Sequence, residues 1–193
     1  HRSQVPKHSS LQILSEQVTA EKLAAYDNFK QPRFDASLWQ QLASAGLLGV
    51  AIEEEFGGMG FGFTELALLI EEVGRTIAPV PVISHLVSAA LPIQQFGSAR
   101  QKQRLLSAAA DGSGMLSAAL AAEPGAQTLV AVAHADGYRL SGLQSCVPFA
   151  SSAQCIVVAA RSEQGTVVLL LDPAAEGVSL TEIKYTTFEP QFE

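Results

Sequence analysis

The spacing of hydrophobic residues changes about half-way along the chain. In the first half apolar residues recur every three or four positions, as at Leu66, Leu69, Ile70 and Val73, which is the spacing of an amphipathic helix. Beyond residue 114 apolar and polar residues alternate, which is the spacing of half-buried strands. Helices are predicted over residues 9–26, 36–45, 64–75, 82–96 and from 98 onwards, and strands over residues 115–122, 129–134, 138–142, 154–161, 165–172 and 178–183.

This order of elements predicts an α+β fold. We expect an N-terminal all-α helical domain over residues 1–112, followed by an antiparallel β-barrel-like domain over residues 113–193. Turn signals between the strands, such as Asp136-Gly137, favour hairpins and therefore antiparallel neighbours.

Single residues mark where several helices should begin, end or bend. Asp35 is a good N-cap for the helix that follows it, and Gly46 should end that helix. Trp39 falls in register with the apolar face of the same helix, so we expect it to pack in the core. Pro92 should bend its helix or end it early. The run that starts at Ser98 matches a capping box.

Composition disfavours several classes of function. The 193 residues carry a formal net charge of −7 and no basic patch, which argues against nucleic-acid binding. The apolar runs are too short to span a bilayer, and no signal peptide is visible. Cys146 and Cys155 are predicted to be free thiols of a cytoplasmic protein. The four histidines have no metal-site spacing, and His85 is expected to be a packing or surface residue.

Three clusters suggest chemistry but have simpler explanations. The glycine-rich loop over residues 49–62 lacks the lysine of a phosphate-binding loop and carries glutamates that would repel a phosphate. Glu71 and Glu72 point about 100° apart on a helix, so we interpret them as a solvated edge and not as an acid/base pair. The basic face of the last helix is more typical of a solvated surface than of a phosphate site. Its cations are Arg100, Lys102 and Arg104.

Two longer strings stand at the ends of predicted strands. The first is AALAAEPGAQTL, residues 118–129, and the second is GLQSCVPFASSAQ, residues 142–154. Between them, DGYRLSG combines a tight turn with an alternating strand, which places both strings on the same side of a small sheet. Loops held by a rigid sheet often carry binding groups. The alternative is that both strings are ordinary loops of a β domain.

The two strings resemble motifs of the acyl-CoA dehydrogenase family. AAEPGAQTL is similar to the TEPxxGSD loop, and GLQSCVP followed by FASSAQ is similar to the GxKxWITNA segment. The IEEEFGGMG run upstream and the GVSL run downstream stand in the family's order. The resemblance extends from about residue 35 to the end of the chain, and it is strongest to a bacterial branch that has Cys-Val-Pro in the flavin loop.

The resemblance implies an FAD-dependent desaturation of an acyl-CoA thioester between its α and β carbons. Members of the family use a carboxylate base and pass a hydride to the flavin, while the protein supplies orientation and hydrogen bonds. The positions that the resemblance implies for flavin contact are Leu120, Ala122, Thr128, Cys146, Val147 and Pro148. Thr128 is also placed near the substrate.

Several of these positions depart from the family pattern. Ala122 lacks the hydroxyl of the family threonine, Leu129 replaces an aspartate, and Cys146 replaces the tryptophan. Pro148 removes both a hydroxyl and a backbone N–H. Each lost hydrogen bond weakens ligand binding by roughly 1 kcal/mol. The resemblance therefore implies FAD for the complete enzyme and leaves open whether this chain binds it.

No residue of the chain matches the family's catalytic base, which lies on a C-terminal helical bundle that is absent from this sequence. We therefore expect the isolated chain to be inactive, either as part of a longer acyl-CoA dehydrogenase or as a natural short subunit. The alternative is a non-catalytic structural subunit of a heteromeric acyl-CoA dehydrogenase, and a binding module unrelated to flavin is a third hypothesis. The expected partners are acyl-CoA and other acyl-CoA dehydrogenase subunits, in a homo- or hetero-oligomer.

Overall fold

The computed structural model describes residues 4–26, 31–120, 129–135, 137–185 and 189–193. Its helices are α1 (Gln4–Gln17), α2 (Ala20–Tyr26), α3 (Ala36–Ser44), α4 (Phe63–Thr76), α5 (Leu91–Phe96) and α6 (Ala99–Ala110). A π-helical segment, Ile83–Ala90, runs into α5, and short 3-10 turns lie at Leu47–Gly49, Glu54–Phe56 and Ala150–Ser152. The strands are β1 (Leu116–Ala119), β2 (Val130–His134), β3 (Gly137–Ser141), β4 (Val147–Pro148), β5 (Cys155–Ser162), β6 (Gly165–Leu171), β7 (Glu182–Ile183) and β8 (Gln191–Phe192).

The helix boundaries follow their local sequence signals. The Asp35 carboxylate accepts the Leu38 backbone N–H at 2.9 Å and so caps α3. Gly46 takes a φ of +73° just after that helix, a conformation that glycine adopts without strain. Ser98 and Gln101 form the predicted capping box at α6. The helix predicted over residues 9–26 is interrupted instead, because α1 ends at residue 17 and α2 begins at residue 20.

Pro92 does not end its helix. The backbone stays helical at Ala90 and Leu91, and the chain remains helical as far as Phe96. The segment before the proline is wound as a π-helix, and the Leu91 N–H donates to the Leu86 carbonyl five residues back. Of the two predicted outcomes, a bend or an early end, the early end is therefore wrong, and the helix changes from π to α winding at this point.

One hydrophobic core joins the helices to the first sheet. Leu38, Leu69 and Leu106 of the helices pack in the same buried cluster as Leu116 and Val157 of the strands. Trp39 is buried there as predicted, and its indole N–H donates to the Gly112 carbonyl at 3.0 Å. The helices and the sheet therefore share one core. The division of the chain into two domains at residue 112 stays a prediction.

The main sheet is mixed, and among the described strands it does not close into a barrel. β5 is its central strand: β6 pairs antiparallel along one edge, whereas β1 and β2 pair parallel along the other. β3 continues the sheet as an antiparallel neighbour of β2. The predicted antiparallel, barrel-like β domain is therefore wrong in part. Turn signals revealed the β2–β3 and β5–β6 hairpins, but alternation carries no information about the direction of strands that are distant in sequence.

A second, smaller sheet covers the other face of β5. Its strands β4, β8 and β7 pair antiparallel in that order. Ile156 and Val158 pack towards this sheet together with Val147, whereas Cys155 and Val157 pack towards the helices. β4 and β8 are two-residue strands that the sequence did not predict, and of the strand predicted over residues 178–183 only β7 is present.

Candidate functional site

A cleft of about 540 Å³ lies between the helical layer and the small sheet. That volume is within the roughly 300–1,000 Å³ typical of small-molecule sites. Cys146 and Pro148, two of the residues predicted to face a flavin, line its sheet side. The rest of the lining includes Arg33, Val73, Ile77, Val80, Ile83, Ser84, Ser88, Tyr185, Glu189 and Gln191. The structure therefore brings the second sequence string to a cavity of suitable size.

The remaining predicted site residues are placed differently. The Val147 side chain is buried between the two sheets, so any ligand contact in the cleft would involve its backbone. Leu120 follows β1 directly and is 42% exposed. Ala122 and Thr128 lie outside the described residues. The roles of all six positions stay predictions, of which Cys146 and Pro148 have a cleft beside them.

The strands that carry the two strings are neighbours. Ser117 on β1 is fully buried, and its hydroxyl donates a hydrogen bond to the carbonyl oxygen of Pro148 on β4. Leu120, at the start of the first string, follows this serine by three residues. The residue just before the first string is therefore hydrogen-bonded to the centre of the second string.

The backbone is strained around the cleft. Among the described residues, the non-glycine positions with positive φ are Ile77 at +55°, Cys146 at +60° and Phe149 at +53°. A non-glycine residue in this left-handed region costs about 1–2 kcal/mol, and such residues persist where surrounding contacts hold them. Ile77 and Cys146 line the cleft, and Phe149 follows Pro148 directly. The strain is therefore concentrated at the candidate site.

Contacts from distant parts of the chain hold the sheet-side wall, residues 146–149. The Cys146 Sγ and the Tyr185 hydroxyl lie 2.7 Å apart, in hydrogen-bond contact. The Phe149 N–H donates to the Pro190 carbonyl at 2.9 Å. The Phe149 ring is 2% exposed and meets Phe34 edge to face, with 6.0 Å between ring centroids. Each strained residue of the wall therefore has a partner far away in sequence.

The helix-side wall is formed by the end of α4 and the π-helical segment. Arg33 donates to the Ile77 carbonyl at 3.2 Å, and the Ser84 hydroxyl donates to the Pro81 carbonyl at 3.1 Å. Ile77 and Ile83 are exposed at the mouth of the cleft. π-helical turns frequently occur at functional sites. The helix side thus offers an apolar surface with a few hydroxyl and guanidinium groups around it.

Gln191 is a polar residue of the cleft that sequence reasoning missed. Its side-chain amide donates to Glu189 at 3.2 Å, while its Oε1 is buried without a hydrogen-bond partner among the described residues. A buried unpaired carbonyl is costly unless a ligand or water satisfies it. Tyr185 was missed in the same way. Gln191 lies in β8 and Tyr185 lies just after β7, and strands of only two residues are too short for any periodic signal.

The prediction of a solvated edge at residues 71 and 72 is wrong for Glu72. Glu71 is exposed, but Glu72 is 3% exposed because it lies three positions after Leu69, within the buried stripe of α4. Arg75 holds its carboxylate at 2.7 Å. An ion pair on the same helix explains this buried charge, so it is not a free acid or base.

His85 is a packing residue that connects the helices to the sheet. It is fully buried, its Nε2 contacts the Ala109 carbonyl at 3.1 Å, and its Nδ1 accepts the Leu116 N–H at 3.0 Å. These partners select the neutral tautomer with a proton on Nε2. Burial lowers the pKa of His85 to about 4. The Trp39 ring packs edge to face against the imidazole, with 4.9 Å between centroids.

Both cysteines are free thiols. Burial raises the pKa of Cys155 to about 11, so this thiol is a structural residue of β5. In the part of the chain that the structure describes, no three His, Cys, Asp or Glu side chains converge as metal ligands. The described helices also include none with the length and hydropathy needed to cross a membrane.

Comparison with known proteins identifies the family. The profile described as "Acyl-CoA dehydrogenase, N-terminal domain" matches residues 7–113, which is more than half of the chain. The chain belongs to the acyl-CoA dehydrogenase family. Among its curated relatives, acyl-CoA dehydrogenase FadE27 of Mycobacterium tuberculosis is 33% identical over 168 residues, which cover 87% of this chain and 45% of that protein.

Two solved structures of the family share the whole fold. A variant of the Tcur3481-Tcur3483 steroid ACAD superposes with a TM-score of 0.92 at 36% identity, covering 99% of this chain and 53% of that one. The ChsE4-ChsE5 complex from Mycobacterium tuberculosis superposes with a TM-score of 0.92 at 30% identity, covering 98% and 52%. The chain thus spans about half the length of the relatives it matches.

FAD is the cofactor that the resemblance implies, and one solved acyl-CoA dehydrogenase, from Bacillus anthracis and 23% identical to this chain, is complexed with it. The cleft fits the flat faces of a flavin ring, because its size is adequate and much of its lining is apolar. Its fit to the polar edge of the ring is poorer. Pro148 has no N–H, its carbonyl is bonded to Ser117, and the Cys146 thiol is in contact with Tyr185. The other polar side chains of the lining are Arg33, Ser84, Ser88, Glu189 and Gln191, of which Ser84 already donates to the Pro81 carbonyl.

Proposed function

We propose that the complete protein is a subunit of an FAD-dependent acyl-CoA dehydrogenase that desaturates an acyl-CoA thioester between its α and β carbons. The observation that supports this most directly is the cleft, because Cys146 and Pro148, which the resemblance assigns to the flavin loop, both line it. The membership of the chain in the family supplies the reaction class.

In this proposal the residues of the chain hold and orient the bound molecules. Pro148 and the apolar helix-side residues Val80 and Ile83 exclude water from a flat ring or an acyl chain. Gln191 offers an unpaired acceptor for an N–H or O–H of a bound molecule. When bound, FAD supplies the two-electron acceptor of the desaturation. We assign the catalytic base to no residue of this chain.

The test is to purify the full-length gene product and to measure its visible flavin absorbance and its acyl-CoA-dependent reduction of a dye. Bound flavin together with turnover is the expected result. Absence of both, for the protein alone and with a co-expressed homologous subunit, would remove the proposal.

A second candidate function is a non-catalytic structural subunit of a heteromeric acyl-CoA dehydrogenase. The sheet-side wall supports this candidate, since Cys146 and Pro148 lack the aromatic and hydrogen-bonding groups of the family motif. The similarity to two structures whose names each give two components also supports it. In this case flavin and turnover should be found only with the partner, and restoring Trp at residue 146 and Thr at residue 148 should recover little.

A further inference from the structure

The sheet-side wall is a short segment bounded by two strained residues. Cys146 and Phe149 both have φ in the left-handed region, and the two residues between them form β4. Neither is a glycine, so each favours another conformation when nothing holds it. The observed shape of the wall must therefore be imposed by its contacts with the rest of the protein.

Pro148 makes the wall depend further on contacts from other parts of the protein. A proline in a strand cannot donate to the ladder, so its carbonyl is the one backbone hydrogen-bonding group that it offers. Ser117 takes that carbonyl from β1, across 31 residues of sequence. Ser117 is itself fully buried, so the hydroxyl has no solvent to exchange with. The contact fixes the centre of the wall to the strand that leads into the first string.

Tyr185 acts on the beginning of the same wall. Its hydroxyl contacts the Cys146 thiol at 2.7 Å from a position 39 residues further along the chain. Both residues line the cleft, so this contact also decides which atoms of Cys146 face the cavity. The side chains of Ser117 and Tyr185 thus hold the segment on either side of Val147.

We propose that Ser117 and Tyr185 are positioning residues, which hold residues 146–149 in their strained conformation and thereby set the sheet-side wall of the cleft. The inference rests on the proposed function, since the position of the wall matters to catalysis only if flavin and acyl-CoA use this cleft. Loss of either side-chain contact lets the wall relax, which exposes Cys146 and weakens binding to the cleft. The fold as a whole stays intact, because losing either hydroxyl removes no apolar side chain from the main core.

The experiment uses the full-length protein, with its partner subunit if one is required. Ser117→Val and Ser117→Thr are a matched pair, because the two replacements have the same shape and Thr alone keeps the hydroxyl. Tyr185→Phe removes one hydroxyl at the other contact, and Tyr138→Phe is its control, on β3 and outside the lining of the cleft. The readouts are iodoacetamide alkylation of Cys146, located by mass spectrometry, and the dissociation constant of FAD on the apoprotein. Buried Cys155 is the internal reference for global opening.

In the wild type, FAD or hexanoyl-CoA should protect Cys146 from alkylation. Ser117→Val and Tyr185→Phe should each raise the alkylation rate of Cys146 and the dissociation constant of FAD about tenfold, the effect of one lost hydrogen bond. Ser117→Thr and Tyr138→Phe should match the wild type, and Cys155 should be unchanged throughout.

Two results would overturn the inference while leaving the cleft assignment intact. In the first, Ser117→Val and Tyr185→Phe both keep the wild-type alkylation rate of Cys146 and the wild-type dissociation constant of FAD, and the ligands still protect Cys146. The second is an equal effect of Ser117→Val and Ser117→Thr that extends to Cys155, since this would mean general loss of packing. If neither ligand protects Cys146 in the wild type, the use of this cleft in the proposed function fails instead, and the inference fails with it.

Discussion

Helix α4 and the sheet-side wall, residues 146–149, face the same cleft but reach their structures in opposite ways. α4 is capped within its own first turn, where the Glu65 carboxylate accepts the Gly62 N–H at 3.1 Å. Its buried face follows from the spacing of Leu66, Leu69 and Val73. The wall has no regular pattern, and the side chains that form hydrogen bonds with it come from residues 31 and 39 positions away. One region is specified locally and the other by tertiary contacts.

The difference shows where the fold carries strain. α4 is relaxed along its length and reaches a positive φ only at its C-cap, Ile77, which borders the cleft. The wall has a positive φ at both ends. Strained residues that surrounding contacts hold in place cluster at ligand sites in other proteins. The strained residues therefore indicate the cleft as a candidate site independently of any ligand.

The largest expected effect is in the locally specified region. Leu69→Ala in α4 should lower the free energy of unfolding by about 2–5 kcal/mol, because it removes a buried side chain from the main core. Leu68→Ala is the matched control, since it is the same change at a half-buried neighbour. Urea denaturation monitored by circular dichroism would measure both. Equal losses at the two positions would contradict the assigned core face of α4.

A second effect concerns His85, the residue that connects the helices to β1. Its pKa is 6.5 as an ordinary histidine and about 4 in the fold, so folding favours the neutral form. This contribution is fully present above pH 6.5 and is lost as the pH falls towards 4, by about 3 kcal/mol in total. Thermal denaturation across this range should show the loss. The loss of stability at low pH should be smaller in His85→Gln and unchanged in His134→Gln, which alters an exposed histidine. An unchanged dependence of stability on pH in His85→Gln would contradict the account.

The smallest effect compares two glycine substitutions in and next to α4. Ala67→Gly, at an exposed position inside the helix, should destabilise the protein by about 1 kcal/mol. Ile77→Gly should instead stabilise it by up to about 1 kcal/mol, because glycine adopts the left-handed C-cap conformation without strain and the lost side chain is 59% exposed. Chemical denaturation would show whether each substitution raises or lowers the free energy of unfolding. Destabilisation by Ile77→Gly would mean that this position carries no strain.

The sequence predicted what short-range physics determines. Asp35 as a helix cap, Trp39 in the core and the two hairpins depend on a few neighbouring residues, and all are present. The parallel pairing of β1 with β5 and the two-residue strands β4 and β8 depend on distant contacts, so no periodic pattern could indicate them. Two adjacent carboxylates do not by themselves indicate that Glu72 belongs to the buried stripe of α4.

The candidate site was predictable to a similar extent. The resemblance of the second string to a family motif predicts Cys146 and Pro148 as site residues, and both line the cleft. Tyr185, Gln191 and Ser117 were not predicted, since their roles arise only when β1, β4 and β8 come together. Motifs therefore indicated the wall of the cleft, and tertiary structure was needed to show what holds it.

The most direct test of the central claim is a structure of the full-length protein, with its partner subunit if needed, bound to FAD and an acyl-CoA. The account predicts a flavin ring in van der Waals contact, at about 4 Å, with Cys146 and Pro148 in the cleft beside the π-helical segment. A flavin bound elsewhere, with these two residues covered by protein alone, would contradict it.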